Sequence, residues 1–408
     1  MMRQGRGLAW VGPLSLLALC LLQAAPGHAA DGLVVDEGPV FAVVRAAGAL
    51  AEGACAPGEI GQNSLRESVL RVQRELGLDA ELAVVLASAP PSCGNLFYVP
   101  VANDVSGIGY GHERSDELFD DSADSALEGI AFLNDWPYWE TRPEELGRAF
   151  KHELGHRWGA RVRASIDGEA SSELLGRQLM HWSFFLDSAA SPLEGNAWHS
   201  SDERSFRSQT ELSSAAFSQL DLYLMGVAEA AEVEPSLLLR HVDAEGLANA
   251  RDCRAAPLSA ASPPAHCESL TLEAEPSLIA IEDIIAVEGE RVPVAETQRT
   301  LDVLVIVLES ERQPLSLESC QALDQALIGN LDDFARATRG RIVLNNLTGF
   351  RTSCGSVSVA PTLNGQRGCS LAAVGAAAHE TTHWPALLVL AWLCSRRARR
   401  RKAERAEP

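Results

Sequence analysis

Three apolar runs of strand length, residues 81–89, 95–103 and 127–135, precede a segment with helix-start signals. That order constrains the chain more than any other feature. Thr141, Pro143 and Glu144 supply a proline in the first turn and acids at the positive end of the helix dipole. The helix then reads GRAFKHELGHRWGARV. An earlier helix over 65–77 is expected from the Ser64/Glu67 capping box and the spacing of Leu65, Val69, Val72 and Leu76. Another is expected from about 169 to 185. Strands near 269–273, 302–308 and 341–345 and a helix over 317–337 complete the pattern. Strands mixed with helices in this order predict an α+β fold.

The helix after the strands contains His152-Glu153-Leu154-Gly155-His156. Two histidines four residues apart share one helix face, so their rings can converge on a metal. Neutral imidazoles suit tetrahedral zinc, and Glu153 between them is placed as general base. A third ligand must come from elsewhere. His181, in LLGRQLMHWSFFLD, is preferred because it matches the first two donors and has an aromatic brace in Trp182 and Phe184. Glu173 comes next, and Asp187, Glu169 and His199 are the remaining candidates.

The ends read as processing signals. Arg3 and Arg6, the apolar run 14–22 and small residues near Ala29 and Ala30 follow the plan of a secretory signal peptide over 1–30. At the other end, WPALLVLAWLC (384–394) is followed at once by SRRARRRK, the arrangement of a segment held in a membrane with its cations on the cytoplasmic side. The net charge is −21; the two end segments carry +2 and +5, so the stretch between them is about −28. Such acidity disfavours nucleic acid as a partner. Six cysteines remain once Cys20, Cys369 and Cys394 are assigned to the ends. In an exported chain they suggest three local disulfides, Cys55–Cys93, Cys253–Cys267 and Cys320–Cys354. The acidic loop 113–125 offers oxygen ligands but lacks the spacing of a calcium loop, and reads as solvated.

HELGHRWG resembles the opening of the metzincin pattern, HExxHxxGxxH, except that its third histidine position is Val162. HExxHxW also resembles the gluzincin aminopeptidases, whose third ligand is a glutamate on the next helix; Glu173 is the nearest match. Taken together, HELGHRWGARV, HWSFFLD, SPLEGNAW, DLYLMG, IEDIIAVEGERVP and FARATRGR resemble a family of secreted bacterial zincin-like proteins, over roughly residues 60–350. The tail, with RGCS around Cys369, is similar to the C-terminal sorting tails of myxobacterial surface proteins.

These resemblances imply a zincin-like catalytic lobe over 31–230, its edge strand at 127–135 lying along a substrate cleft. A smaller α/β lobe over 231–355 follows, then a sorting spacer over 356–383 and an anchor over 384–408. They imply zinc-dependent peptide hydrolysis, with Glu153 catalytic and zinc on His152, His156 and His181. DLYLMG would place Met225 under the metal and Tyr223 near the reacting carbonyl, although in metzincins the tyrosine follows the methionine. The expected protein is monomeric, exported to the cell envelope, bound to the membrane through its tail or released by tail processing, and acts on a protein or peptide. A catalytically silent surface-binding protein and a zinc amidase acting on cell-wall material remain as alternatives.

Overall fold

The fold is known from a computed structural model, which describes residues 34–348 apart from 38–40, 46–50, 53, 56–58, 92–93, 95, 112, 115–124, 209–215, 250, 252–255 and 264–269. The signal segment, most of the acidic loop, and the spacer and anchor lie outside the described residues. Among the described residues no helix is long and apolar enough to cross a membrane.

The architecture is mixed α+β. The first elements are β1 (Val34–Glu37), β2 (Ala42–Arg45), α1 (Glu59–Leu76), β3 (Leu82–Ala87), β4 (Phe97–Pro100) and β5 (Gly129–Asp135). Then come α2 (Trp136–Glu140), α3 (Pro143–Gly155), β6 (Trp182–Asp187), β7 (Glu194–Asn196) and α4 (Gln219–Leu224). The last are β8 (Ser236–Arg240), β9 (Glu275–Ile279), α5 (Ile281–Glu288), β10 (Arg299–Leu308), α6 (Leu317–Ala337) and β11 (Ile342–Asn346).

The main sheet runs β1-β2-β10-β3-β5-β4, with β11 beside the first half of β10. Its interior strands β2, β10, β3 and β5 are parallel, while β1 and β4 close the two edges antiparallel. Parallel strands are covered on both faces and therefore read as continuous apolar runs. Every residue of LAVVLA in β3 and GIAFLND in β5 is buried. Strand alternation divides β3 between two cores. Ala83, Val85 and Ala87 meet Leu65, Val69 and Val72 of α1, whereas Leu82, Val84 and Leu86 belong to the core shared with α3 and α6.

Helix α3 starts at Pro143 with Glu144 and Glu145 in its first turn, and buries Leu146, Phe150 and Leu154 at a four-residue interval. Phe150 meets Phe334 of α6 edge to face, with ring centroids 6.5 Å apart. Lys151, 5% exposed, reaches Asp333 Oδ2 at 2.6 Å. These contacts fix α3 against both sheet and α6.

Three expectations need correction. The boundary near residue 230 does not divide the sheet: β10, from the supposed second lobe, lies between β2 and β3. The strand at 127–135 is not the edge, because β4 pairs with its outer side; β4 is the edge strand beside α3. No helix forms over 169–185. A hairpin turns at Asp167 and Gly168, both at positive φ, and a short 3-10 turn follows with Gln178 and Leu179 also at positive φ. The aromatic, alternating WSFFLD then forms β6 instead of the end of a helix. Strand β6 belongs to a smaller sheet in the order β7-β6-β8-β9.

The cysteines within the described residues, Cys55 and Cys320, are each disulfide-bonded. Cys93, Cys253, Cys267 and Cys354 lie outside the described residues, and the expected pairings with them.

Candidate metal centre

His152 and His156 face the same way from the end of α3, and His181 comes from the residue before β6. His156 Nε2 and His181 Nε2 each lie 3.2 Å from His152 Nε2. The three residues are the one group of metal-capable side chains clustered within 4.8 Å among the described residues. Two nitrogens bound to tetrahedral zinc at about 2.0–2.1 Å stand about 3.3 Å apart. The spacing fits.

The orientation of the rings is fixed from behind. His152 Nδ1 lies 2.7 Å from the Pro192 carbonyl oxygen and His181 Nδ1 lies 3.0 Å from that of Arg177. A carbonyl oxygen only accepts, so both Nδ1 atoms carry the proton and both Nε2 atoms present a lone pair. Burial pushes the His152 pKa down to about 4 and that of His181 to about 3, and holds His156 well below the ordinary range. Two neutral rings thus turn lone pairs toward each other at 3.2 Å with no proton to share. A cation between them relieves that repulsion. His156 Nδ1 is buried without a hydrogen-bond partner, so its ring is held by packing.

The loop that supplies the Pro192 carbonyl crosses the C-terminal end of α3 and the turn after it, where two glycines leave room. Leu193 lies against Gly155 and Gly159, and a Cβ on Gly159 would fall well inside contact with Leu193 Cδ1. Ala189, Ala190 and Glu194, none of them glycine, hold positive φ in this loop. Such backbone strain concentrates at sites where position matters more than relaxation. Ser188 Oγ donates to the Glu194 carbonyl at 2.7 Å and closes the loop.

Glu153 is 4% exposed. Burial raises its pKa to about 8, with the Arg177 charge opposing the shift and Glu194 adding to it. A divalent ion on the histidines would draw it back toward the carboxylate. The four residues open into a cleft of about 770 Å³, whose wall includes Leu96, Phe97 and Tyr98 from the β4 side and Arg148 from α3. Arg177 bonds Glu194 Oε1 at 2.7–2.8 Å along the same wall.

Among the expected residues, His152, Glu153, His156 and His181 come together. The others do not. Glu173 is exposed and bonds Arg240 at 2.9 Å. Asp187 lies at the far end of β6, accepting from the Ala189 amide, while Glu169 and His199 are exposed on hairpin strands. Val162 is fully buried in the core. Tyr223 is also misplaced by the sequence reading: it does not line the cleft, and its buried Oη accepts the Arg291 amide at 3.1 Å. Met225 is a buried core residue.

DLYLMG serves the site through Asp221 instead. This carboxylate, 1% exposed, accepts from Trp182 Nε1 at 2.8 Å, and from the Ser218 amide and hydroxyl at 2.8 and 2.7 Å. It fixes the residue next to His181. Sequence reasoning also missed the carbonyls of Pro192 and Arg177, since a main-chain oxygen leaves no residue-type signal. SPLEGN, with Pro192 and Gly195 three residues apart, was the available hint. Comparison with protein-family models, with curated proteins and with solved structures gives no match for this chain.

Proposed function

We propose that this protein is a zinc-dependent metallopeptidase of zincin type, exported and held at the cell envelope by its C-terminal tail. The observation that carries the reading is the pair of Nε2 lone pairs of His152 and His181, facing each other at 3.2 Å with both Nδ1 atoms committed to carbonyls. His156 completes a three-nitrogen set of the kind found at catalytic zinc, which keeps its fourth position open. When bound, zinc supplies Lewis acidity toward a water molecule and a carbonyl oxygen.

The chain's own groups do the rest. Glu153, in the cleft beside the ligands, takes a proton on its carboxylate and returns it to the leaving amine nitrogen. Strand β4, at the sheet edge, offers backbone groups to an extended substrate, and Leu96 to Tyr98 supply the wall along which it lies. A buried glutamate in the cleft supports a hydrolase over a surface-binding module, which needs no general base.

The test uses the full-length protein and four variants. His152→Ala, His156→Ala and His181→Ala should lose zinc and activity together, whereas Glu153→Gln should keep near-stoichiometric zinc and lose turnover. Parent-level peptide cleavage by Glu153→Gln would refute the mechanism. Hydrolysis of cell-wall amides without peptide cleavage would make the protein an amidase.

A further inference from the structure

The cleft wall carries four charged side chains, Arg148, Glu153, Arg177 and Glu194. Arg177 and Glu194 are bound to each other, and Glu153 stands beside the ligands. Arg148 is exposed and, among the described residues, has no ion-pair or hydrogen-bond partner. Glu144 stands one turn before it on α3, yet no ion pair forms between them. With a divalent ion on three neutral imidazoles, this wall is net cationic inside a chain of net charge −21. A cleft whose sign opposes that of its surroundings concentrates anionic ligands.

Position makes the charge selective. Arg148 precedes His152 by four residues, so it lies on the same helix face, about 6 Å nearer the N-terminus of α3. An extended peptide advances about 3.4 Å per residue. For a peptide running along α3, Arg148 therefore stands about two residues from a bond held at the histidines.

Resting on the peptidase reading, we propose that Arg148 determines specificity: the cleft selects peptides with a carboxylate about two residues from the scissile bond, toward the N-terminus of α3. An Asp or Glu side chain and the peptide's own C-terminus offer the same group. Guanidinium forks match carboxylates in two hydrogen bonds, which a lysine or a glutamine cannot reproduce.

The experiment compares zinc-loaded full-length parent, Arg148→Gln and Arg148→Glu on peptides that differ only in carrying Glu, Gln or Lys at that position. Each peptide is made with a free and with an amidated C-terminus. The parent should favour Glu over Gln by about tenfold in kcat/KM, as one charge-assisted contact in a partly desolvated cleft provides. Arg148→Gln should abolish the preference and Arg148→Glu should shift it to Lys. A Glu-over-Gln preference kept in the amidated peptides assigns the carboxylate to the side chain; a loss of rate on amidation that is equal for Glu, Gln and Lys assigns it to the chain end. Equal rates for Glu and Gln in the parent together with no loss of rate on amidation, or an unchanged preference in Arg148→Glu, would overturn the proposal.

A second measurement separates this inference from the reaction beneath it. Fluorescein-labelled Glu and Gln peptides are titrated against the Glu153→Gln protein by anisotropy. Selective binding of the Glu peptide without cleavage by the parent sinks the peptidase reading and leaves carboxylate recognition standing; cleavage without selectivity does the reverse.

Discussion

Replacing Asp221 by alanine should weaken both the fold and the metal site, although Asp221 touches neither ligand nor substrate. The carboxylate accepts the Trp182 indole, the Ser218 amide and the Ser218 hydroxyl, and is 1% exposed. An orphaned indole N–H in a site this dry costs about 1–3 kcal/mol. Loss of the capping box at Ser218 adds about 0.5–1 kcal/mol. Burial raises the Asp221 pKa, so deleting the charge returns part of its desolvation cost. A net destabilisation of about 1–3 kcal/mol follows, several degrees in Tm. Because Trp182 adjoins His181, zinc affinity should fall by about tenfold, the usual effect of losing a group that orients a ligand. Thermal melts and competitive zinc titration measure the two effects. Trp182→Phe keeps an aromatic ring but no donor, so a double-mutant cycle with Asp221→Ala isolates the indole contact, expected at about 1–2 kcal/mol. Additive single effects with parent-like zinc affinity in Asp221→Ala would refute the reasoning.

Two further substitutions separate site geometry from general stability. Gly159→Ala should push Leu193 outward and withdraw the Pro192 carbonyl from His152, lowering zinc affinity by about tenfold at a stability cost of about 1–3 kcal/mol. Zinc titration showing unchanged affinity in a destabilised Gly159→Ala protein would disprove the link. Tyr223→Phe should leave kcat within about twofold of the parent and cost about 1 kcal/mol, because it removes only the acceptor for the Arg291 amide. A loss of a hundredfold or more in kcat would restore Tyr223 to the active site.

Much of this architecture was legible because its strands and helices advertise themselves. The apolar runs at 81–89 and 127–135 could be read as strands, though not as parallel neighbours inside a sheet, and the helix at 317–337 was legible up to Gly340. His152, Glu153 and His156 were legible because helix geometry alone brings positions four apart together. His181 was chosen for the right donor type but on the wrong element: local pattern suggested a helix where positive-φ turns at 167–168 and 178–179 break the chain. The error on Tyr223 has another source. A tyrosine two residues before a methionine suggested a familiar turn, whereas the folded chain spends the hydroxyl on Arg291 and the aspartate two residues before that tyrosine on Trp182. The lobe boundary was misplaced because nothing local in a strand states which neighbours it will take.

That choice of neighbours also sets when the molecule can become itself. Strands β2 and β3 lie close in the chain, but between them stands β10, which is synthesised more than 200 residues after β3. Until residue 308 is available the two early strands have no common partner, and α3 lacks the α6 surface that receives Phe150 and Lys151. Contacts of such long range make folding slow and late. A nascent chain that already contains all three histidines is therefore still without the frame that aligns them, and the site assembles only once residues 299–337 have been made.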